Sequence, residues 1–165
     1  MKIYDDITKA KQKVNGSIKK YGFSPDHNYC NYLYLQNTSK KCIFFDFGRA
    51  KGVIAFYNKK NNVWRVTNGV FAPPKERLNI FLNFLNYIFK EKKSKKVFVE
   101  FSEDFKSEIF KKLKNLYRFN VSYSLYWPIY NLDNLDENLS GKQWKKLRNI
   151  RNRFYNNYKI RIKNP

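Results

Sequence analysis

The stretch Val63-Trp-Arg-Val-Thr-Asn-Gly-Val-Phe71, Ala72-Pro-Pro-Lys-Glu-Arg77, Leu78-Asn-Ile-Phe-Leu-Asn-Phe-Leu-Asn-Tyr-Ile-Phe89 decides how this chain folds. Its first nine residues are rich in β-branched and aromatic side chains and read as a strand. Pro73-Pro74 then opens a helix, because proline fits the first helical turn, and Leu78, Phe81, Leu82, Leu85, Ile88 and Phe89 fall on one face of it. Lys90 to Lys96 closes the helix, and Val97-Phe-Val-Glu-Phe101 reads as the next strand. Ser102 reads as a cap, with Glu103 and Asp104 in the first turn of a helix whose buried stripe is Phe105, Ile109, Phe110, Leu113 and Leu116. Strand, helix, strand, helix is a crossover unit.

Upstream, Ile3, Ile7, Ala10, Val14, Ile18 and Tyr21 recur at steps of three and four, which predicts an amphipathic helix with Asp5 and Asp6 near its start. Tyr32 to Gln36, Cys42 to Phe47, Val53 to Tyr57 and Val63 to Phe71 then predict four strands in an antiparallel meander. The short connections between them permit hairpins but not parallel crossovers. Downstream, Val121 to Leu132 alternates like a strand that Trp127-Pro128 should bend. An acidic, asparagine-rich connection, Asn131 to Leu139, leads to Ser140-Gly-Lys-Gln143, a capping box for a last helix. The expected class is α+β: a mostly antiparallel twisted sheet of six or seven strands flanked by helices. The expected organisation is a lobe over 1–132, then 133–165 as a linker with a basic helix and a short terminal strand.

Length and composition bound what this domain can do. The 165 residues suffice for one core, and 15 Phe, 13 Tyr and 3 Trp within a 42% apolar content exclude wholesale disorder. Cys30, Cys42 and the single His27 do not form a metal set, so no metal is expected. No signal-peptide core and no run of ~18 apolar residues is present, so the expected setting is the cytoplasm.

The formal net charge of +21 points to a polyanion, although a lysine- and asparagine-rich composition can also arise from AT-rich coding, so position is more informative than total. Nine cations and no acid follow Asn138. Trp144, Leu147, Ile150 and Phe154 give the last helix an apolar side, and Lys142, Lys145, Lys146 and Arg153 gather opposite, with Arg148 on the flank. These five cations are the expected anion or nucleic-acid contacts, against a tRNA or an anionic lipid surface. Arg151 falls among the apolar positions and is expected in a structural ion pair with Asp133, Asp136 or Glu137.

The order of elements resembles the GNAT acetyltransferase fold. The tail, Trp127-Pro-Ile-Tyr130 followed by Leu139-Ser-Gly-Lys-Gln-Trp-Lys-Lys-Leu-Arg148-Asn-Ile-Arg151-Asn-Arg-Phe154, resembles the stretch joining the two GNAT-like lobes of the phosphatidylglycerol lysyltransferase carboxy-terminal-domain family. The resemblance covers roughly Asn31 to Tyr158. It implies transfer of an aminoacyl or acyl group, with aminoacyl-tRNA as donor. It also implies that a second lobe or a second copy would complete the usual two-lobed arrangement.

Phe71-Ala-Pro-Pro-Lys-Glu-Arg77 stands where acetyl-CoA enzymes of this fold carry a glycine loop; it has no glycine, and two prolines remove two amide donors. Acetyl-CoA is therefore disfavoured and no cofactor is expected, while Lys75 and Arg77 remain able to hold an isolated phosphate. By fold analogy Glu100 is the expected base, and Tyr126, or Tyr123, the expected oxyanion donor. The alternative expectation is a non-catalytic module that binds RNA or an anionic surface through the last helix.

Overall fold

A computed structural model describes residues 1–36, 39–121, 124 and 138–158. The chain divides into two compact units, Met1–Phe119 and Asn120–Pro165.

The first unit is α+β, with a mostly antiparallel, open sheet of six strands. These are β1 (Lys2–Tyr4), β2 (Lys40–Gly48), β3 (Lys51–Asn58), β4 (Val63–Thr67), β5 (Val70–Phe71) and β6 (Val97–Glu100). Their order is β1-β2-β3-β4-β6, with β5 also on β3. Helices α1 (Lys11–Tyr21), α2 (Tyr29–Leu35), α3 (Pro74–Asn86) and α4 (Glu103–Leu113) flank the sheet.

Residues 42–46 of β2 and 52–56 of β3 are buried without a break, because the sheet is covered on both faces. Ile43, Phe45, Val53 and Ala55 point to one core with Trp64, with Phe81 and Phe84 of α3, and with Ile109 and Leu113 of α4. Cys42, Phe44, Ile54 and Phe56 point to a second core with Ile7, Ala10, Val14 and Tyr32. Adjacent residues thus serve opposite faces, each fully buried aromatic contributing ~1.5–3 kcal/mol. Burial pushes the Cys42 thiol up to about 12.

Three predicted elements differ. The helix expected from Ile3 onward begins later: Lys2 to Tyr4 pair with Asp46, Phe45 and Phe44 as an edge strand. Asp6 stops that strand and caps a 3-10 turn, Ile7–Ala10, by accepting from the Thr8 N–H at 2.9 Å and the Thr8 hydroxyl at 2.7 Å. The strand expected at Tyr32 to Gln36 is helix α2. Asn28 caps it through the Cys30 N–H at 2.8 Å, and burying Tyr32 under the sheet overrides the strand preference of its aromatic residues. The meander is therefore β2-β3-β4, with β1 at its edge.

The single strand expected from Val63 to Phe71 is broken by a bulge. Arg65 pairs with Phe56 and Val70 with Val53, so four residues of this strand face two of β3. Asn68 turns into the left-handed region at φ 47°, and Gly69 presses its backbone on β3, where an added Cβ would come within 2.6 Å of the Ile54 carbonyl oxygen. At this bulge the pairing of β4 with its other neighbour, β6, ends. The two strands pair in parallel from Trp64↔Val97 to Thr67↔Glu100, and the last link is Asn68 N–H to the Glu100 carbonyl at 2.8 Å. Of the predicted α4 stripe, Phe105, Ile109 and Leu113 are buried, whereas Leu116 follows the helix end and is exposed. The Ser102 side chain makes no cap hydrogen bond.

In the second unit, a 3-10 turn, Lys142–Trp144, leads into α5 (Lys145–Asn157). Its N-cap position is Gly141 at φ 84°, one residue after the Ser140 expected to open the capping box. No residue of α5 is buried, and its apolar side, Leu147, Ile150 and Phe154, is about half exposed. Trp144, expected in a core, is partly exposed. The predicted strand Val121 to Leu132, the acidic connection to Glu137 and the terminal strand fall almost entirely outside the described residues.

Among the described residues no helix is long and apolar enough to cross a membrane, and no group of three His, Cys, Asp or Glu side chains offers a metal site.

Candidate functional site in the first unit

The bulge positions the candidate site. Because β5 turns back onto β3 while β6 ends at Glu100, helices α3 and α4 both start at the same end of the parallel pair. A cleft of about 460 Å³ lies there. Its walls come from the end of α1 (Lys20, Tyr21), the following turn (Phe23), the start of α3 (Pro74, Arg77) and the start of α4 (Ser102, Asp104). A crevice beyond the carboxyl ends of diverging parallel strands is where open sheets bind ligands.

Arg77 is the best-fixed cation in the cleft. Its guanidinium carbon sits 5.5 Å from the ring centroid of Phe23 and 5.3 Å from that of Phe105. Two ring faces holding one cation restrict its rotamers and strip its water, each contact worth ~0.5–2 kcal/mol. Its buried Nε has no hydrogen-bond partner among the described residues.

Phe23 is held in turn by His27. The Phe23 and Ser24 N–H groups donate to His27 Nδ1 at 3.0 and 3.3 Å, so Nδ1 carries no proton and Nε2–H donates to the Asn68 carbonyl at 3.1 Å. The His27 ring also stands edge-on to Phe23 and Phe71, with centroids 4.6 and 5.0 Å away. Burial lowers the His27 pKa, the Asn68 carbonyl and Asp26 oppose this, and Arg77 adds to it. With both nitrogens bonded inward, the neutral imidazole is a staple between the α1–α2 turn and the bulge.

The predicted site residues separate in space. Arg77 lines the cleft; Lys75 is exposed and does not line it, and Glu76 between them pairs with Lys51 at 2.6 Å. Glu100, at the end of β6, is half-buried and is not among the described residues that line the cleft. Tyr123 and Tyr126 lie outside the described residues. Sequence reasoning missed Lys20, Tyr21, Phe23 and Asp104 as cleft walls. The available signal was the run Ser102-Glu-Asp104, read only as a helix start.

In α5, Lys142, Lys145, Lys146 and Arg153 are exposed and have no ion pair among the described residues. Arg148 instead braces the backbone, since Nη1 donates to the Leu139 carbonyl and, at 3.2 Å, to the Gly141 carbonyl, fixing a helix entry that passes through two left-handed residues. Arg151 is partly buried, and the acids expected to pair with it lie outside the described residues. Set against known proteins, the chain matches no family model, no curated protein and no solved structure.

Proposed function

We propose that the first unit is a GNAT-like lobe that carries out aminoacyl or acyl transfer, with an aminoacyl-tRNA rather than coenzyme A as donor. The observation that carries this reading is the cleft at the divergence of β4 and β6, with Arg77 held between Phe23 and Phe105 on its wall. A guanidinium in that setting suits a terminal phosphodiester of the donor. The glycine-free loop at 71–77 lacks the consecutive amides that would wrap a pyrophosphate.

In this reaction an acceptor amine attacks the ester carbonyl, the ribose oxygen leaves and takes up a proton, and the amine gives one up. Asp104 is the carboxylate on the cleft wall to accept it, in place of Glu100.

The test incubates the full chain with charged tRNA and a panel of amine and hydroxyl acceptors, following the aminoacyl bond. Accelerated loss that falls at least tenfold in both Arg77→Met and Asp104→Asn is the expected result. Loss no faster than in buffer alone overturns the reading.

A second reading rests on α5, where exposed cations without an acid over residues 138–158 suit a phosphate backbone or an anionic surface without chemistry. Filter binding of tRNA whose salt slope shallows after Lys142, Lys145, Lys146 and Arg153 are changed to Gln, with no turnover, supports it.

A further inference from the structure

The largest concentration of positive charge in the described structure is not on α5 but at the end of the sheet opposite the cleft. Four chain segments meet there. β2 starts and β3 ends at this edge, with Lys40 opposite Asn58. β4 and β6 start there side by side, with Trp64 opposite Val97. Helix α3 returns to it through a wider turn, Tyr87–Glu91, closed by the Lys92 N–H on the Tyr87 carbonyl at 3.1 Å. The end of α4 is brought in by the stacked rings of Phe89 and Tyr117, 5.3 Å apart. Residues 39–41, 58–62, 90–96 and 111–118 thereby collect thirteen cations and one carboxylate, Glu91.

These turns are fastened to one another. Ser94, buried in the middle of the lysine run, donates its hydroxyl to the Asn62 carbonyl at 3.0 Å and its N–H to the Ile88 carbonyl at 3.1 Å. The Lys59 N–H donates to the Ser39 carbonyl at 3.3 Å. Lys59, Lys60, Lys90, Lys93 and Lys95 are exposed and have no carboxylate partner among the described residues. Lys96 lies over the Phe98 ring at 4.4 Å and Lys92 over Tyr87 at 5.5 Å. A scatter of lysines left by composition would spread over the surface and find acids. This set is gathered on turns that are hydrogen-bonded to one another.

We propose that this end of the sheet is a docking platform for the phosphodiester backbone of a nucleic acid, read by charge and not by base. Of the four segments only 111–118 exposes an apolar side chain, Leu116, and one such side chain among thirteen cations gives no apolar face to enter a bilayer, which favours a nucleic acid over a lipid surface. Lysine ammonium groups, as mobile point charges, suit phosphates presented along a strand, with affinity driven by counterion release. The platform uses none of the residues of the cleft or of α5, so it stands or falls apart from both readings above.

The test is fluorescence anisotropy of the full chain against 20-base-pair RNA and DNA duplexes across a salt series. It compares the wild type with a platform variant (Lys59→Gln, Lys60→Gln, Lys93→Gln, Lys95→Gln) and a charge-matched control (Lys2→Gln, Lys9→Gln, Lys11→Gln, Lys19→Gln). The platform variant is expected to bind at least tenfold more weakly near 50 mM salt, with the log–log salt slope shallower by about 2 to 3, since each neutralised phosphate contributes ~0.9. The control is expected to change affinity less than threefold. Loss for one duplex type alone supports the platform and names its partner. Equal loss in both variants, no loss in either, or binding of anionic phosphatidylserine vesicles in place of nucleic acid overturns it.

Discussion

The two ends of the β-sheet differ in how they treat charge. At the end where α3 and α4 begin, Glu76 pairs with Lys51 at 2.6 Å and Glu103 with Lys106 at 3.0 Å, and Asp46, near the end of β2, has Lys13 at 3.9 Å. At the other end four described segments bring together thirteen cations and one carboxylate, Glu91. A net charge of +21 thus hides a segregation made by the fold, because connections that are distant in sequence land at one edge. The end with these ion pairs holds a cleft whose walls are positioned by specific contacts, and the other end holds a surface that needs only to present cations.

The sharpest way to break this contrast is at the bulge that sets the cleft. Gly69→Ala places a methyl against the Ile54 carbonyl and is expected to cost ~1–3 kcal/mol in urea unfolding. Asn61→Ala, in an exposed turn of the basic end, is expected to change stability by less than ~0.5 kcal/mol. Equal effects would deny that the cleft end is the more closely built.

His27 gives the next largest effect. His27→Ala strands two N–H groups and a carbonyl and is expected to cost ~2 kcal/mol. Because burial lowers the folded-state pKa, the unfolded chain binds the proton more readily. The wild type therefore keeps its full stability above about pH 6.5 and loses part of it as pH falls from there through the folded value. With one histidine in the chain, His27→Gln is expected to remove that dependence in unfolding measured between pH 5 and 7.

Ser94→Ala is expected to cost ~1 kcal/mol and to weaken duplex binding about threefold while every lysine stays in place. Unchanged binding would show that fixing the turns is unnecessary. The smallest expected effect contrasts single lysines: Lys51→Gln loses ~0.2–1 kcal/mol with its Glu76 partner, whereas Lys59→Gln changes stability by less than ~0.5 kcal/mol.

Much of the sheet was legible. Cys42 to Phe47 and Val53 to Tyr57 lie on observed strands, Val97 to Phe101 does so up to Glu100, and Pro73-Pro74 does open α3. The failures share a cause, since burial by remote residues outweighed local preference. Tyr32 to Gln36 reads as strand, but Tyr29–Leu35 is helical where Tyr32 meets the second core, and Ile3 opens a helical period yet pairs with β2 together with Lys2 and Tyr4. The bulge at Asn68-Gly69 left only one glycine as its trace. In the site, Arg77 was legible because cations at a helix start attract attention. Phe23, Lys20 and Asp104 were not, because they reach the cleft from three separate elements. The basic platform was invisible for the same reason: the tail carries its cations in one run, whereas the sheet end assembles them from four.

One consequence concerns the order of folding. The β2-β3-β4 meander pairs residues within about two dozen positions of each other, whereas Tyr4↔Phe44 and Trp64↔Val97 join residues some 30 to 40 positions apart. Loop closure favours the local pairs, so the meander is expected to form first and the two outer strands to add afterwards. Substitutions in the hairpins should then slow refolding, while those at Ile3 or Val97 should chiefly hasten unfolding.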